Sequence, residues 1–332
     1  MHIDDILDRA HVVALPMAVR FRGVDTREAL LIDGPAGWGE FAPFLDYGPQ
    51  ESAAWLRAGL EAAYDGFPAP VRSSVEVNAT IPAVPASEVA AVLERFPGCR
   101  VVKVKVAEPG QTLADDVARV AAVRDARPGA VIRVDANRGW SVPQAIEAAR
   151  AFGPLDYLEQ PCATVEELAQ VRSELMRSGI FARVAADESI RRADDPYRVA
   201  ELQAADVAVV KVAPLGGVRR VLSLARDLRA QHMDITVASA LDTAVGMNAG
   251  LAAVAALPLL NDDDEMDVPP AAAGLATQQL FVEDVAPPRP IIDGHLSVAP
   301  VHPDNDRLAA LAVPVTRRDW WFERLREAHQ YL

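Results

Sequence analysis

Short β-branched runs alternate with longer alanine-rich stretches over most of this chain. The runs are Val75–Thr80, Val101–Val106, Val131–Asp135, Tyr157–Glu159, Val184–Asp187, Val207–Lys211 and Ile235–Ser239, and their starts lie 26, 30, 26, 27, 23 and 28 residues apart. Between them, Ala114–Ala126, Val142–Phe152, Val165–Ser178, Gly217–Ala230 and Ala244–Leu257 carry apolar residues at helical spacing. Strand, helix, strand at this interval is the pattern of parallel βα units. Seven units and a short eighth strand near Ala271–Leu275 predict an α/β fold, a (β/α)7β barrel of the TIM type. An open doubly wound sheet is the alternative. It normally carries a glycine-rich turn after its first strand, and none follows Thr80.

The two ends of the chain read differently. Ala10–Arg22, Glu28–Asp33 and Trp38–Glu40 predict antiparallel strands turning at Gly34-Pro35, followed by a helix over Glu51–Tyr64 and a boundary at Pro68–Pro70. Pro287, Pro288 and Pro290 end the barrel, and a strand-turn at Ile291–Val298 and a helix over Asp319–His329 follow. The expected organisation is an α+β cap from residues 1–72 and 284–332, with the barrel at 73–283. The acidic run Asp262–Asp267 precedes the eighth strand and reads as a solvated loop on the face opposite the strand ends.

Composition narrows the function. Net charge is −14, which disfavours nucleic acid and anionic membranes as partners, because phosphate binding needs a basic footprint. No run of about eighteen apolar residues occurs, and Met1–Asp5 lacks the basic start of a signal peptide. The expectation is a cytoplasmic protein acting on a small molecule. Cys99 and Cys162 give neither a metal spacing nor a disulfide framework. Of 33 basic side chains, 30 are arginine and three are lysine: Lys103, Lys105 and Lys211. Either these three survive by chance or they stand where arginine fails, since only lysine loses its proton near neutrality when perturbed.

In a barrel of this kind the C-terminal strand ends carry function. Asp135, Glu159 and Asp187 end three consecutive strands. Three carboxylates together repel unless a cation neutralises them, and a hard ion with oxygen ligands, Mg²⁺ most simply and Mn²⁺ otherwise, answers that. Asn137 follows Asp135 by two residues and is placed to orient a ligand or substrate oxygen. Glu188 either joins this set or caps a helix. Lys103 and Lys105, two apart on a valine-rich strand, face the barrel interior together, with Lys211 across the ring. Burial is expected to lower their pKa values and suit them as general bases. The reading is two bases flanking a metal-bound carboxylate, with the enediolate stabilised by the ion. Simple pairing of lysines with acids is the competing one.

This arrangement resembles the enolase superfamily, in which a lysine base working with Mg²⁺ is a known example. Lys-x-Lys on the second strand, the Asp/Glu/Asp set and the sixth-strand lysine are similar to its muconate-lactonising subgroup, as are Gly37–Pro43 (GWGEFAP) and Ile291–Val298. LPMAVRFRGV, PAGWGEFAPFLDY, ASALDTAVGMNAGLAA and AAGLAT resemble an actinobacterial branch of that subgroup. The branch implies the syn dehydration, in menaquinone biosynthesis, of a cyclohexadiene carboxylate bearing a hydroxyl and a succinyl arm. The resemblance implies that Lys105 removes the α-proton and then helps hydroxide leave, that Lys211 acts as a cation over the ring, and that Lys103 orients. It gives Ser239 and the backbone near Gly274 to the succinyl carboxylate. It also makes Arg20–Val24 a covering loop, with Arg20 or Arg22 as anion contacts. Gly-Leu-Ala-Thr stands where some relatives have Gly-Leu-Asp-Thr, and the Asp-x-Asp of dipeptide epimerases is missing. An N-acylamino acid racemase or epimerase is the neighbouring alternative, and a non-catalytic binding barrel the alternative from another class. Oligomeric state is left open.

Overall fold

The computed structural model describes all residues except 1, 22–23, 193–194 and 262–266, with only the backbone described at 19–21, 260–261 and 267. Arg22 and most of the acidic run therefore lie outside the described residues. Leu260–Asn261 and Asp267–Val268, flanking that run, pair as a small antiparallel ladder where a plain loop was expected.

Seven parallel strands follow one another around the barrel in chain order: Ala79–Ile81, Val101–Lys105, Val131–Asp135, Tyr157–Glu159, Arg183–Ala186, Val207–Val210 and Asp234–Val237. The eighth position forms no ladder of its own. Ala273 bridges to Val77 and Gly274 to Ala238, both parallel, and these bridges close the ring. Four backbone hydrogen bonds carry the closure: Asn78 N–H to Ala273 O, Ala273 N–H to Glu76 O, Gly274 N–H to Val237 O and Ser239 N–H to Gly274 O. An alanine-rich segment with one glycine has little side-chain reason to extend a strand.

Helix starts are written locally. Thr112, Ser141 and Thr164 each make a reciprocal capping box with Asp115, Gln144 and Glu167, opening the helices Leu113–Ala126, Val142–Phe152 and Val165–Arg177. Later come Asp195–Glu201, Val218–Arg229 and Met247–Ala256. The strongly alternating pattern of Val218–Arg229 turns Val218, Val221, Leu224 and Leu228 inward. Below the strand ends, Arg133 plugs the barrel: its guanidinium lies 4.7 Å from the Tyr157 ring centre, Nε donates to Asp156 at 2.8 Å and Nη1 to Ala272 O at 2.7 Å.

The run Val75–Thr80 does two jobs. Ala79–Ile81 joins the barrel, while Ser74–Glu76 pairs antiparallel with His295–Ser297 from the returning tail. The N-terminal segment forms a three-stranded antiparallel sheet, Ala10–Phe21, Val24–Gly34 and Gly37–Phe41, and the helix Pro49–Leu60 packs on it. A Cβ on Gly39 would stand 1.9 Å from the Gly59 carbonyl oxygen, so the GWGE strand and this helix meet backbone to backbone. The last helix, Val315–His329, adds Trp321, Leu325 and Ala328 to a core shared with Leu30, Ile32, Phe41 and Leu56. Ala240, Leu241, Ala244 and Val245, from the loop after the seventh barrel strand, belong to the same core. That shared packing seats the cap over the strand ends.

Candidate active site

Strand register sets the level of each side chain. Lys105 lies beside Asp135, and Asp135 beside Glu159, across three neighbouring strands. Lys103 lies one inward-facing level below, beside Arg133 and Tyr157. Lys103 Nζ reaches up to Asp135 Oδ2 at 3.1 Å and to both Glu159 oxygens at 2.9 and 3.1 Å. Lys105 Nζ donates to Asp135 Oδ2 at 2.6 Å and to Asn137 Oδ1 at 2.7 Å. Lys211 Nζ pairs with Asp187 Oδ1. Asn137 passes the contact on, its Nδ2 donating to Glu188 Oε1 at 3.1 Å. The structure thus joins Lys103, Lys105, Asp135, Glu159, Asn137 and Glu188 in one connected set, with Lys211 and Asp187 as a separate pair whose acid is felt at Lys103.

Burial and charge compete at every group here. Asp135 is 1% exposed; burial pushes its carboxyl up, but Lys105 and Lys103 outweigh that and hold it well below the usual range. Burial also raises Asp187, and Lys211 again prevails and lowers it. Glu159 goes the other way, pushed up to about 7 by burial and then by the charge of Asp135, against the pull of Lys103. Lys103 corrects the expectation of lowered lysine pKa values. Burial alone lowers it, but the charges of Glu159 and Asp135 hold its ammonium well above the ordinary value. The acids that receive the amine outweigh the cost of burying it.

The donor set fits a divalent ion: three buried carboxylates from consecutive strand ends, one of them pushed up by burial and then by the charge of its neighbour. Among the described residues, no three acidic, histidine or cysteine side chains already stand at metal-binding spacing. Lysine ammonium groups hold the carboxylate oxygens instead, so an ion bound there would have to displace these contacts.

Two supports escaped the sequence reading. Gln160, fully buried, accepts from the N–H groups of Asp187 at 3.0 Å and Ser189 at 3.1 Å, and donates to Cys162 O and Ser189 Oγ. It fixes the turn that aims Asp187. The buried pair Asp116–Arg119 clamps the end of the second strand: Arg119 donates to Lys105 O at 2.9 Å, and Asp116 accepts from Ala107 N–H at 2.9 Å. The signals were the glutamine after Glu159 and the acid-to-arginine step opening the next helix.

Ser239 and Gly274 are brought together by their backbone hydrogen bond. The Ser239 hydroxyl is engaged within its own turn, donating to Asp242 Oδ2 at 2.8 Å and accepting from Asp242 N–H at 3.2 Å. Arg20 lies on the first cap strand with only its backbone described. A small, open cleft joins Asp187 and Lys211 of the site to the cap. Phe44, Tyr47 and Trp55 wall it on the cap side, facing Asp187, Lys211 and Arg191. Trp55 stands edge-on to Phe44 at 6.0 Å and 5.9 Å from Tyr47.

Comparison with known proteins agrees with this architecture. Residues 86–303 match the enolase C-terminal domain-like family and residues 12–63 the enolase N-terminal domain-like family. The chain is 58% identical over 330 residues to the o-succinylbenzoate synthase of Mycolicibacterium smegmatis, covering 98% of this chain and 97% of that one. The chain belongs to the o-succinylbenzoate synthase family of the enolase superfamily. The o-succinylbenzoate synthase of Mycobacterium leprae is 55% identical over 333 residues, covering 99% of this chain and 94% of the relative. Among solved structures, muconate lactonizing enzyme from Pseudomonas putida superposes with a TM-score of 0.70 at 23% identity, covering 92% of this chain and 98% of that one. The Pseudomonas fluorescens enzyme, complexed with muconolactone, gives 0.72 at 22%, with the same coverage. At that identity these two show the fold alone. Membership of the superfamily implies a divalent metal. No helix among the described residues is long and apolar enough to cross a membrane.

Proposed function

We propose that this site carries out the reaction for which its relatives are named, the syn dehydration of 2-succinyl-6-hydroxy-2,4-cyclohexadiene-1-carboxylate to 2-succinylbenzoate, with Mg²⁺ as the ion and menaquinone as the pathway's end. The observation that carries the reading is the lysine inventory. All three lysines of a chain with 30 arginines meet three strand-end acids in one site.

Asp135, Glu159 and Asp187 would hold the ion, a hard cation suited to oxygen ligands. When bound, it supplies electrostatic stabilisation of the charge that grows on the substrate carboxylate. Lys105 Nζ, as the free amine, takes the proton from the carbon beside that carboxylate. The C–H electron pair ends in the new ring double bond as the neighbouring C–O bond breaks. The Lys105 ammonium returns the proton to the departing hydroxide, which leaves as water. Lys103 supports the acids from below, and Lys211 presents its charge to the ring. Asn137 and Glu188 orient Lys105 and the carboxylate, and Arg20 and Arg22 remain assigned to the covering loop. We take residues 1–72 with 284–332 as the cap and 73–283 as the barrel, and we place the protein in the cytoplasm with a small carboxylate as its partner.

The deciding assay follows aromatic absorbance from the dehydration substrate, with Mg²⁺ and with EDTA. Product is expected only with the ion, and Asp135→Ala, Glu159→Ala and Asp187→Ala are expected to lose at least about 10³-fold in rate while keeping the native circular dichroism. Full activity in any one of the three removes that residue from the metal site. Uptake of deuterium from D₂O at the α-carbon of an N-succinylamino acid would favour the racemase reading.

A further inference from the structure

The product named for the family is a dicarboxylate. The strand-end acids and their ion take the ring carboxylate, which leaves the carboxylate of the succinyl arm to be held elsewhere. Resting on the proposed reaction, we infer that Arg191 is the residue that binds it.

Arg191 closes the short 3-10 turn Glu188–Ile190 that follows the fifth barrel strand. It lines the same cavity as Lys211 and Asp187, on the side facing Phe44, Tyr47 and Trp55 of the cap. Of the two basic residues in that wall, Lys211 is committed to Asp187. Arg191 is held loosely. One terminal nitrogen stands 3.4 Å from Glu188 Oε1, an oxygen that already accepts from Asn137. Its Nε is buried without a hydrogen-bond partner. A buried guanidinium nitrogen with an unused proton is costly, and a carboxylate entering the cavity would satisfy it. The planar fork of arginine offers paired N–H groups that match a carboxylate, which a lysine cannot do.

Ser239 fits the role less well. Its hydroxyl proton is given to Asp242 Oδ2, so an incoming anion meets an occupied donor with a carboxylate behind it. The cavity wall at that strand end is Ala240. The Glu188 contact gives Arg191 a second consequence. Arg191, Glu188, Asn137 and Lys105 form one chain of contacts, so a charge drawn onto Arg191 relaxes the acid that steadies Asn137 beside the base.

The test compares ligands that differ only in the arm. With Mg²⁺ present, binding of 2-succinylbenzoate and of its neutral arm amide is measured by calorimetry for the wild-type protein, Arg191→Met, Arg191→Lys and Ser239→Ala. A charge-assisted contact is worth about 10- to 100-fold in affinity. Arg191→Met is therefore expected to weaken the diacid by that factor and the amide by less than about threefold, erasing the preference between them. Arg191→Lys is expected to keep part of the preference, and Ser239→Ala most of it. Equal weakening of both ligands, or an unchanged preference in Arg191→Met, overturns the assignment. So does a wild-type protein that binds amide and diacid alike, which needs no variant. The underlying reading fails separately: if the wild-type protein does not dehydrate the substrate, the reaction is wrong. If it does and Arg191→Met keeps the wild-type KM, the reaction stands and Arg191 is not its anchor.

Discussion

Lys105 and Lys211 carry the same charge and make unlike contacts, and that difference sets what each tolerates. Lys105 donates to Asp135 and to Asn137, whereas Lys211 has Asp187 as its partner beneath the aromatic wall of the cap. Arginine keeps a positive charge and stacks on rings but does not surrender a proton. Lys105→Arg is therefore expected to lose at least about 10³-fold in kcat, and Lys211→Arg on the order of tenfold to 10²-fold, measured on variants with native melting curves. Equal loss in both would mean that Lys211 also moves a proton, the two-base arrangement of a racemase. Lys103 shows how much of the site was legible one residue at a time. Its inward direction follows from the period of the strand. Its protonation depends on Asp135 and Glu159, which lie 32 and 56 residues away and act only once the strands align.

At the scale of elements, the loop after the seventh barrel strand is held from both ends of the chain. Glu40, from the cap strand Gly37–Phe41, accepts from the N–H of Thr243 at 3.0 Å and from its hydroxyl at 2.6 Å. Asp284 accepts from Ala244 N–H at 3.1 and 3.0 Å. Gly246 is required there, since a Cβ would lie 2.5 Å from the Glu40 carboxylate. Burial pushes Glu40 up to about 7, helped by the nearby charge of Asp242 and resisted by Thr243 and Arg27. The folded state therefore binds this proton more tightly than the unfolded chain, whose carboxyl has the ordinary value near 4.5. Stability from this group is complete below pH 4.5 and is lost as pH rises towards 7, by up to about 1.4 kcal/mol per pH unit. Glu40→Gln is expected to flatten that slope in denaturant titrations between pH 4.5 and 7. An unchanged slope would show that Glu40 does not hold the proton. The GWGE phrase was visible in the sequence, but its glutamate's partner stands 203 residues on, beyond any local pattern.

For the whole molecule, an ion held by Asp135, Glu159 and Asp187, as proposed, would compete with the lysines for the same oxygens. A ligand that binds only the folded state stabilises it by RT ln(1 + [L]/Kd), about 2.7 kcal/mol at a hundred times Kd, which is several degrees in Tm for a chain of this size. Mg²⁺ is expected to raise Tm in the wild-type protein and to leave Asp135→Ala unmoved. The same rise in both would place the stabilising ion elsewhere.

What the sequence determined by itself is whatever neighbours in the chain can settle. The 23- to 30-residue interval, the capping boxes at Thr112, Ser141 and Thr164, and the acids and lysines ending the strands are all local, and together they specify a barrel with chemistry at one end. The tertiary structure decided what depends on distant groups meeting. It reduced the eighth strand to bridges at Ala273 and Gly274, tied Ser74–Glu76 to a tail more than 200 residues away, and set Phe44, Tyr47 and Trp55 against Lys211. It also left a buried nitrogen of Arg191 without a partner. The physical reason is range. Backbone periods and caps act over three or four residues, whereas burial, charge pairing and cavity shape have values only after the chain has closed on itself.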